Sequence, residues 1–276
     1  MKLLNKILNK KYTDKNYSSN KYKNFIVNIF FAFSGIILLV IFWTIISHFI
    51  ITRPGFEQYR GFMPGPAVKA LIEMTMSKYF WQSVASSFIR ILIGLTLASL
   101  IGIPAGILIG FYKYLHGITN IPIHFIRMIS PIAWTPIALI IFPGFNGAIL
   151  FLIFISTVWP ILINTSLGVF NIKPEWIKMT ENQGANDYQM LFRVIVPGSL
   201  PYILSGLRMA VGIAWIVLIP AEMLGVTNGL GYLINNARDT ISYDKLIAVV
   251  IAIGILGFII DSLFQLLQSK LDWRDK

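Results

Sequence analysis

No cysteine occurs in the 276 residues, so neither a disulfide nor a thiolate metal site can help hold this fold. Charge is scarce as well. Asp, Glu, Lys and Arg make up 13% of the chain, against about a quarter in a soluble domain. No Gly-Lys pair is present, which excludes the phosphate-cradling loop of a nucleotide hydrolase. The Gly-x-Ser-x-Gly elbow is missing, and the three histidines (His48, His116, His124) show no metal-ligand spacing. Catalysis, a bound metal and a cofactor are therefore not expected. What remains is 56% hydrophobic residues with a mean hydropathy of +0.70, the composition of an integral membrane protein.

The net charge of +11 is not a nucleic-acid signal. Seven of the 23 basic residues fall within the first 24 positions, directly before an apolar run, where they act as a topology signal. That run is too long for a signal-peptide core, and no small-residue cleavage site follows it. It is expected to remain as a spanning helix.

A spanning helix needs about 20 apolar residues. Residues 25–51 and 83–112 supply the first two. The 45 uncharged residues 128–172 are too long for one crossing, and "FPGFNG" at 142–147 reads as a turn dividing them. Residues 198–224 and 246–268 complete six spans in an all-α protein, with a five-helix core over 83–268 and tails at 1–24 and 269–276. Placing both termini in the cytoplasm puts fifteen basic residues on inner segments and six on outer ones, in keeping with the positive-inside bias. The outer segment 52–82 is expected to hold a turn at 63–66. A short interfacial helix would follow, turning Val68, Leu71, Ile72 and Met76 to one side.

Between spans four and five, residues 173–197 form a polar inner segment. Pro174 suits the first turn of a helix, and Gly184 breaks it. Asn186 with Gln189 three positions on makes a capping box that starts a second helix, with Asp187 in its first turn. Tyr188, Leu191, Phe192 and Ile195 recur at helical spacing as one apolar stripe, and Pro197 is expected to stop the helix. The result would be a rigid, glycine-cornered lever; an amphipathic helix resting on headgroups is the alternative reading of the same stripe.

The frame Gly184, Pro197, Pro201 and Gly206, with Phe192 inside it, resembles the cytoplasmic loop signature of ABC importer permeases. "SSFIRILIGLTLASLIGIPAGILIG", "SPIAWTPIALIIF", "STVWPILINTSLGV" and "AEMLGVTNGLGYLINNARD" are similar to the nitrate/sulfonate/bicarbonate (taurine) branch. The resemblance implies an inner-membrane transport subunit of the type I permease fold, without enzymatic activity of its own. Its partners would be a cytoplasmic ATP-binding subunit, an extracytoplasmic solute-binding protein and a second permease copy, in contact with lipid and not nucleic acid. Coupling to the ATPase would pass through Glu181, Gly184, Ala185, Asn186, Asp187, Phe192, Pro197, Pro201 and Gly206. The family signature often begins Glu-Ala-Ala, whereas Lys178, Met179 and Thr180 stand here. The cargo would be a small oxyanion, and a secondary carrier driven by an ion gradient is the alternative.

Within the membrane, Gly94, Ala98, Gly102, Gly106 and Gly110 place a small residue at every fourth position, a stripe that lets a neighbouring helix approach closely. Pro104 inside the stripe is expected to kink the span. Glu222 is expected to fix an outer gate through a basic partner such as Arg238, Arg90 to snorkel or meet backbone carbonyls, and Arg208 to anchor structure. An anion would then move along amides, hydroxyls and indole N–H groups: Trp134, Thr135, Trp159, Asn164 and Trp215.

Overall fold

In lipid every backbone N–H and C=O must find a partner within its own segment or a neighbour, and a chain this apolar answers with helices. The computed structural model describes residues 21–271; the rest of both predicted tails lies outside them. Among the described residues there are helices and turns and no strand.

Two compact units are present, Met1–Pro66 and Ala67–Lys276. In the first, α1 (Lys21–Ile51) begins four residues before the expected span and shows exposed Leu38, Phe42 and Phe49, side chains suited to lipid. A 3-10 turn, Glu57–Phe62, follows, and the Trp43 indole donates to the Phe62 carbonyl at 2.9 Å.

α2 (Pro64–Thr75) starts within the predicted turn. Its inward face is built on small residues. Ala67 and Ala70 are buried, and Leu71 and Met74 pack on Phe80, Val84, Leu230, Leu233, Val249 and Ala252. Val68, Ile72 and Met76 are exposed. The small side chains let the helix axis come close, and of the four apolar residues expected on one side only Leu71 turns inward.

The core of the second unit is a stack of three long helices. α3 (Lys78–Phe111) and α9 (Val196–Glu222) both lie against α6 (Phe145–Phe170). The small stripe of α3 faces α6 along its length. A Cβ on Gly94 would lie 2.5 Å from Ile153, one on Gly106 2.6 Å from the Leu162 carbonyl, and one on Gly110 2.7 Å from Val169, while Ala98 is fully buried. On the other side, Gly206 of α9 sits against Pro160, Ile161 and Asn164, and Gly168 of α6 against Ser199 and Tyr202. α6 can be buried between two helices despite its hydroxyls because Ser156, Thr157 and Thr165 donate back to carbonyls of their own helix at 2.7–2.8 Å. α3 itself runs unbroken through Pro104.

Six crossings are reached only through a broken one. α4 (Lys113–Arg127) and the pair formed by a 3-10 turn (Pro131–Trp134) and α5 (Thr135–Ile141) meet at 88°. Five helices are long and apolar enough to cross alone, and the bent pair makes the sixth if it counts as one. The expected third span is thus not a continuous helix from 128. The predicted inner loop containing Lys113 and Arg127 is instead the helix α4, with those residues at its two ends. The turn at 142 is shorter than expected, since α6 starts at Phe145 after Gly144 at φ 94°. α10 (Leu230–Asp239) and α11 (Tyr243–Leu271) close the fold.

The packing makes the glycines unequal. Gly106→Ala is expected to destabilise the protein by about 1–3 kcal/mol through overpacking. Gly117→Ala, in α4, meets nothing within 4 Å and should be neutral or slightly stabilising. Thermal unfolding in detergent followed by tryptophan fluorescence decides this, and equal midpoints would remove the close-contact argument.

Candidate functional site

At one end of α9 the chain forms an elbow. α7 (Pro174–Asn182) opens with Pro174 and closes in a Schellman motif: the Ala185 N–H donates to the Thr180 carbonyl at 3.3 Å, and the Gly184 N–H to that of Glu181 at 2.9 Å. Gly184 takes φ +74° with nothing within 4 Å of a would-be Cβ, so glycine is needed there for its backbone and not for space. The capping box then forms as its two residues require. The Gln189 N–H donates to Asn186 Oδ1 at 2.8 Å, and the Asn186 N–H to Gln189 Oε1 at 3.1 Å.

Pro197 does not stop the helix that follows. α8 (Asp187–Met190) passes into a π turn, Leu191–Ile195, where the Val196 N–H reaches back five residues to the Leu191 carbonyl, and then into α9. The wider turn makes room for the proline ring and absorbs its missing donor. Asp187–Glu222 is therefore one helical rod of 36 residues. The apolar stripe is also rotated from the expected one. Met190 and Ile195 are buried with Val169 and Ile172, and Leu191 and Val194 pack beside them. Tyr188 and Phe192 instead point outward with ring centroids 4.5 Å apart. With exposed Met179 they put an apolar patch on the elbow, where Glu181, Asn186 and Asp187 are exposed too.

At the far end of the same rod sits a buried polar clasp. Glu222 is fully buried, and its partner is Arg90 of α3, Nη1 to Oε1 at 2.6 Å. Arg238 pairs instead with its exposed neighbour Asp239, because it lies on the outward side of α10. Glu222 also accepts from Ser87 Oγ at 2.8 Å and from the Gly231 N–H at 2.9 Å, and Ser87 accepts from the Leu230 N–H. All five guanidinium donors of Arg90 are occupied: Nε and Nη2 on Asn146 Oδ1, Nη1 on Glu222 and the Asn228 carbonyl, and Nη2 also on Asn228 Oδ1. Gly229, at φ +116°, and Gly231 press against Glu222, where any Cβ would collide. The clasp ties α3, α9, the start of α6 and the start of α10 together. The sequence held one clue to it, two opposite charges expected at a similar depth; Ser87, Asn146 and Asn228 carried none.

Trp134, Trp159 and Asn164 come together in one cavity of about 510 Å³ beside the break between α4 and α5, with Arg127 and Ser156 also in its wall. Thr135 is buried and does not line it. Neither does Trp215, which packs on Gly257 and edge-on to Phe88, nor Glu222. His116 and His124 share a neighbouring cavity of about 330 Å³. Arg208 meets Asp261 in a paired, exposed contact at 3.1–3.2 Å. Among the described residues no group of His, Asp or Glu could hold a metal.

A rod with a solvated corner at one end and a saturated ion pair at the other, in a polytopic helical protein, has the form of a transport subunit. Residues 98–273 match the family described as "Binding-protein-dependent transport system inner membrane component". The chain belongs to this family, the permeases of ABC importers, within its nitrate/sulfonate/bicarbonate branch. It is 34% identical over 264 residues to the bicarbonate transport system permease protein CmpB of Synechococcus elongatus, covering 90% of this chain and 91% of that one. Similarity extends to the nitrate import permease protein NrtB of Leptolyngbya laminosa, at 33% identity over 69% of this chain and 68% of the relative. For the taurine transport system permease protein TauC of Escherichia coli the identity is 30%, over 85% and 86%. In fold, the chain matches the inward-facing MetNI methionine ABC transporter (TM-score 0.53, 18% identity, 76% of this chain and 100% of that one). It also matches a bacterial alginate ABC transporter (TM-score 0.51, 17% identity, 93% and 98%). It is a multi-pass inner-membrane protein, and its family is one of transport subunits.

Breaking the clasp from one side leaves a buried charge alone. Arg90→Met is expected to cost about 3–5 kcal/mol, and the double change Arg90→Met with Glu222→Leu to recover much of it. Unfolding midpoints of the single and double variants test this; additive losses would mean that the pair is not coupled.

Proposed function

We propose that this chain is the membrane-spanning subunit of an ATP-driven importer for a small oxyanion, with ATP hydrolysis carried out on a separate cytoplasmic chain. Two copies would surround one pathway, because a single six-crossing unit is small for a gated route. An extracytoplasmic binding protein would deliver the cargo. The relatives named for bicarbonate, nitrate and taurine support the anionic class, and their shared feature is a compact oxygen-bearing anionic group.

One observation carries the coupling role: the Gly184 corner is fixed by a Schellman motif and a capping box and runs without a break into a helix that reaches the clasp. A push on Tyr188, Phe192 or Met179 by an ATPase subunit would therefore move α9 as a body and not be lost in a loose loop. Lys178, Met179 and Thr180 replace the common Glu-Ala-Ala start, so an exposed thioether takes part where the family usually has an alanine. The excess of basic residues on the elbow side supports a cytoplasmic position for that end and for both termini. The fully buried clasp would then belong to the outer gate.

Gly184→Pro and Ala185→Asp test the lever. Both are expected to abolish co-purification of the ATPase and to lower nucleotide-driven uptake at least tenfold, while the variant protein still inserts and unfolds near the wild-type temperature. Normal coupling in both variants would remove the elbow from the mechanism. Uptake driven by an ion gradient with no nucleotide would favour a secondary carrier.

A further inference from the structure

The structure distinguishes sharply between two arginines. Arg90 has every guanidinium donor engaged and is closed to a ligand. Arg127, the last residue of α4, makes no ion pair and no hydrogen bond among the described residues. It lines the 510 Å³ cavity at the 88° break, together with Trp134, Ser156, Trp159, Asn164 and Met209. The indole N–H groups of Trp134 and Trp159 also lack an acceptor among the described residues. No carboxylate lines this cavity.

We propose that Arg127 is the anion-holding residue of a station on the transport route, with the indoles of Trp134 and Trp159 as additional donors. The proposal rests on the importer reading above and adds the residue that would hold the cargo. Arg127 is exposed, so its guanidinium is free to meet a counter-ion entering the cavity, and a broken helix is where membrane carriers place such contacts. The guanidinium is a planar fork that meets two oxygens of a carboxylate-like, nitrate or sulfonate group at once, which a lysine ammonium does not. The cavity is roomy for an anion of a few heavy atoms, so waters remain with it and the hold is loose, as release requires. The adjoining cavity, which shares Ile163 and holds His116, Asn120 and His124, also lacks a carboxylate. The same route excludes Trp215 and Glu222, which are engaged in packing and in the clasp.

The test uses the full transporter purified through this chain, with its own ATPase and binding protein, in proteoliposomes. Uptake of bicarbonate, nitrate and taurine is measured for wild type, Arg127→Lys and Arg127→Ala, with ATPase co-purification as the measure of assembly. Arg127→Ala is expected to lower uptake of the transported anion at least tenfold with assembly kept. Arg127→Lys, which keeps the charge and loses the fork, should recover less than half of the wild-type rate. Full recovery by lysine would mean that only a topology charge is needed and would overturn the proposal, as would wild-type uptake by Arg127→Ala. If alanine prevents assembly, the lysine variant decides alone. A wild-type complex that moves none of the three anions with ATP would overturn the oxyanion reading itself, an outcome distinct from any difference among the variants.

Discussion

Much of this structure depends on one continuous helix. Asp187–Glu222 spans about 54 Å at 1.5 Å per residue, and it has different chemistry at its two ends. At one end a solvated corner is held by backbone caps. At the other, a carboxylate with no exposure is held by Arg90, Ser87 and an amide of α10. A helix is stiff along its axis, so displacement at the corner must appear at the clasp. The π turn at 191–195 is what allows this continuity, since without it Pro197 would divide corner from rod.

The rod is guided by its contact with α6. Lipid tails are as apolar as leucine, so helices in a bilayer gain little from burying large side chains and associate through close backbone approach. Gly206 and Gly168 on the α9 side, and Gly94, Gly106 and Gly110 on the α3 side, provide that approach. Between these close approaches, buried Leu152, Ile153, Ile161 and Leu218 fill the same interfaces. The polar groups follow a division of labour: those of the clasp are saturated and hold elements together, whereas Arg127 and the indoles of Trp134 and Trp159 beside the break between α4 and α5 have no hydrogen-bond partner among the described residues.

What could be read from the sequence was what is local. The capping box of Asn186 and Gln189 and the helix break at Gly184 depend on residues a few positions apart, and both are present. Apart from the third expected span, the long apolar runs gave helices close to their expected limits. Contacts across the chain were not legible. Glu222 meets Arg90 from 132 positions away, and nothing in the spacing favoured it over Arg238. α4 was hidden by its mixed composition, since Gly117, Pro122 and two histidines obscure the period and charges at both ends suggest a loop. The inward face of α2 was not legible, because alanines count for little on a hydrophobicity scale yet decide how closely two helices meet. Pro197 was given its usual meaning, and a local change of helical register overrode it.

The absence of native cysteine makes the rod directly measurable. Spin labels at Tyr188→Cys and Ile216→Cys, both exposed positions on the helix, lie 28 residues apart, about 42 Å along its axis. In the assembled transporter with one doubly labelled copy, this distance should be the same with and without trapped ATP, while the separation between the elbows of two singly labelled copies changes. A shift within the rod of about one helical turn, 5.4 Å, on nucleotide binding would show that the helix bends or unwinds, and would contradict rigid transmission from elbow to clasp.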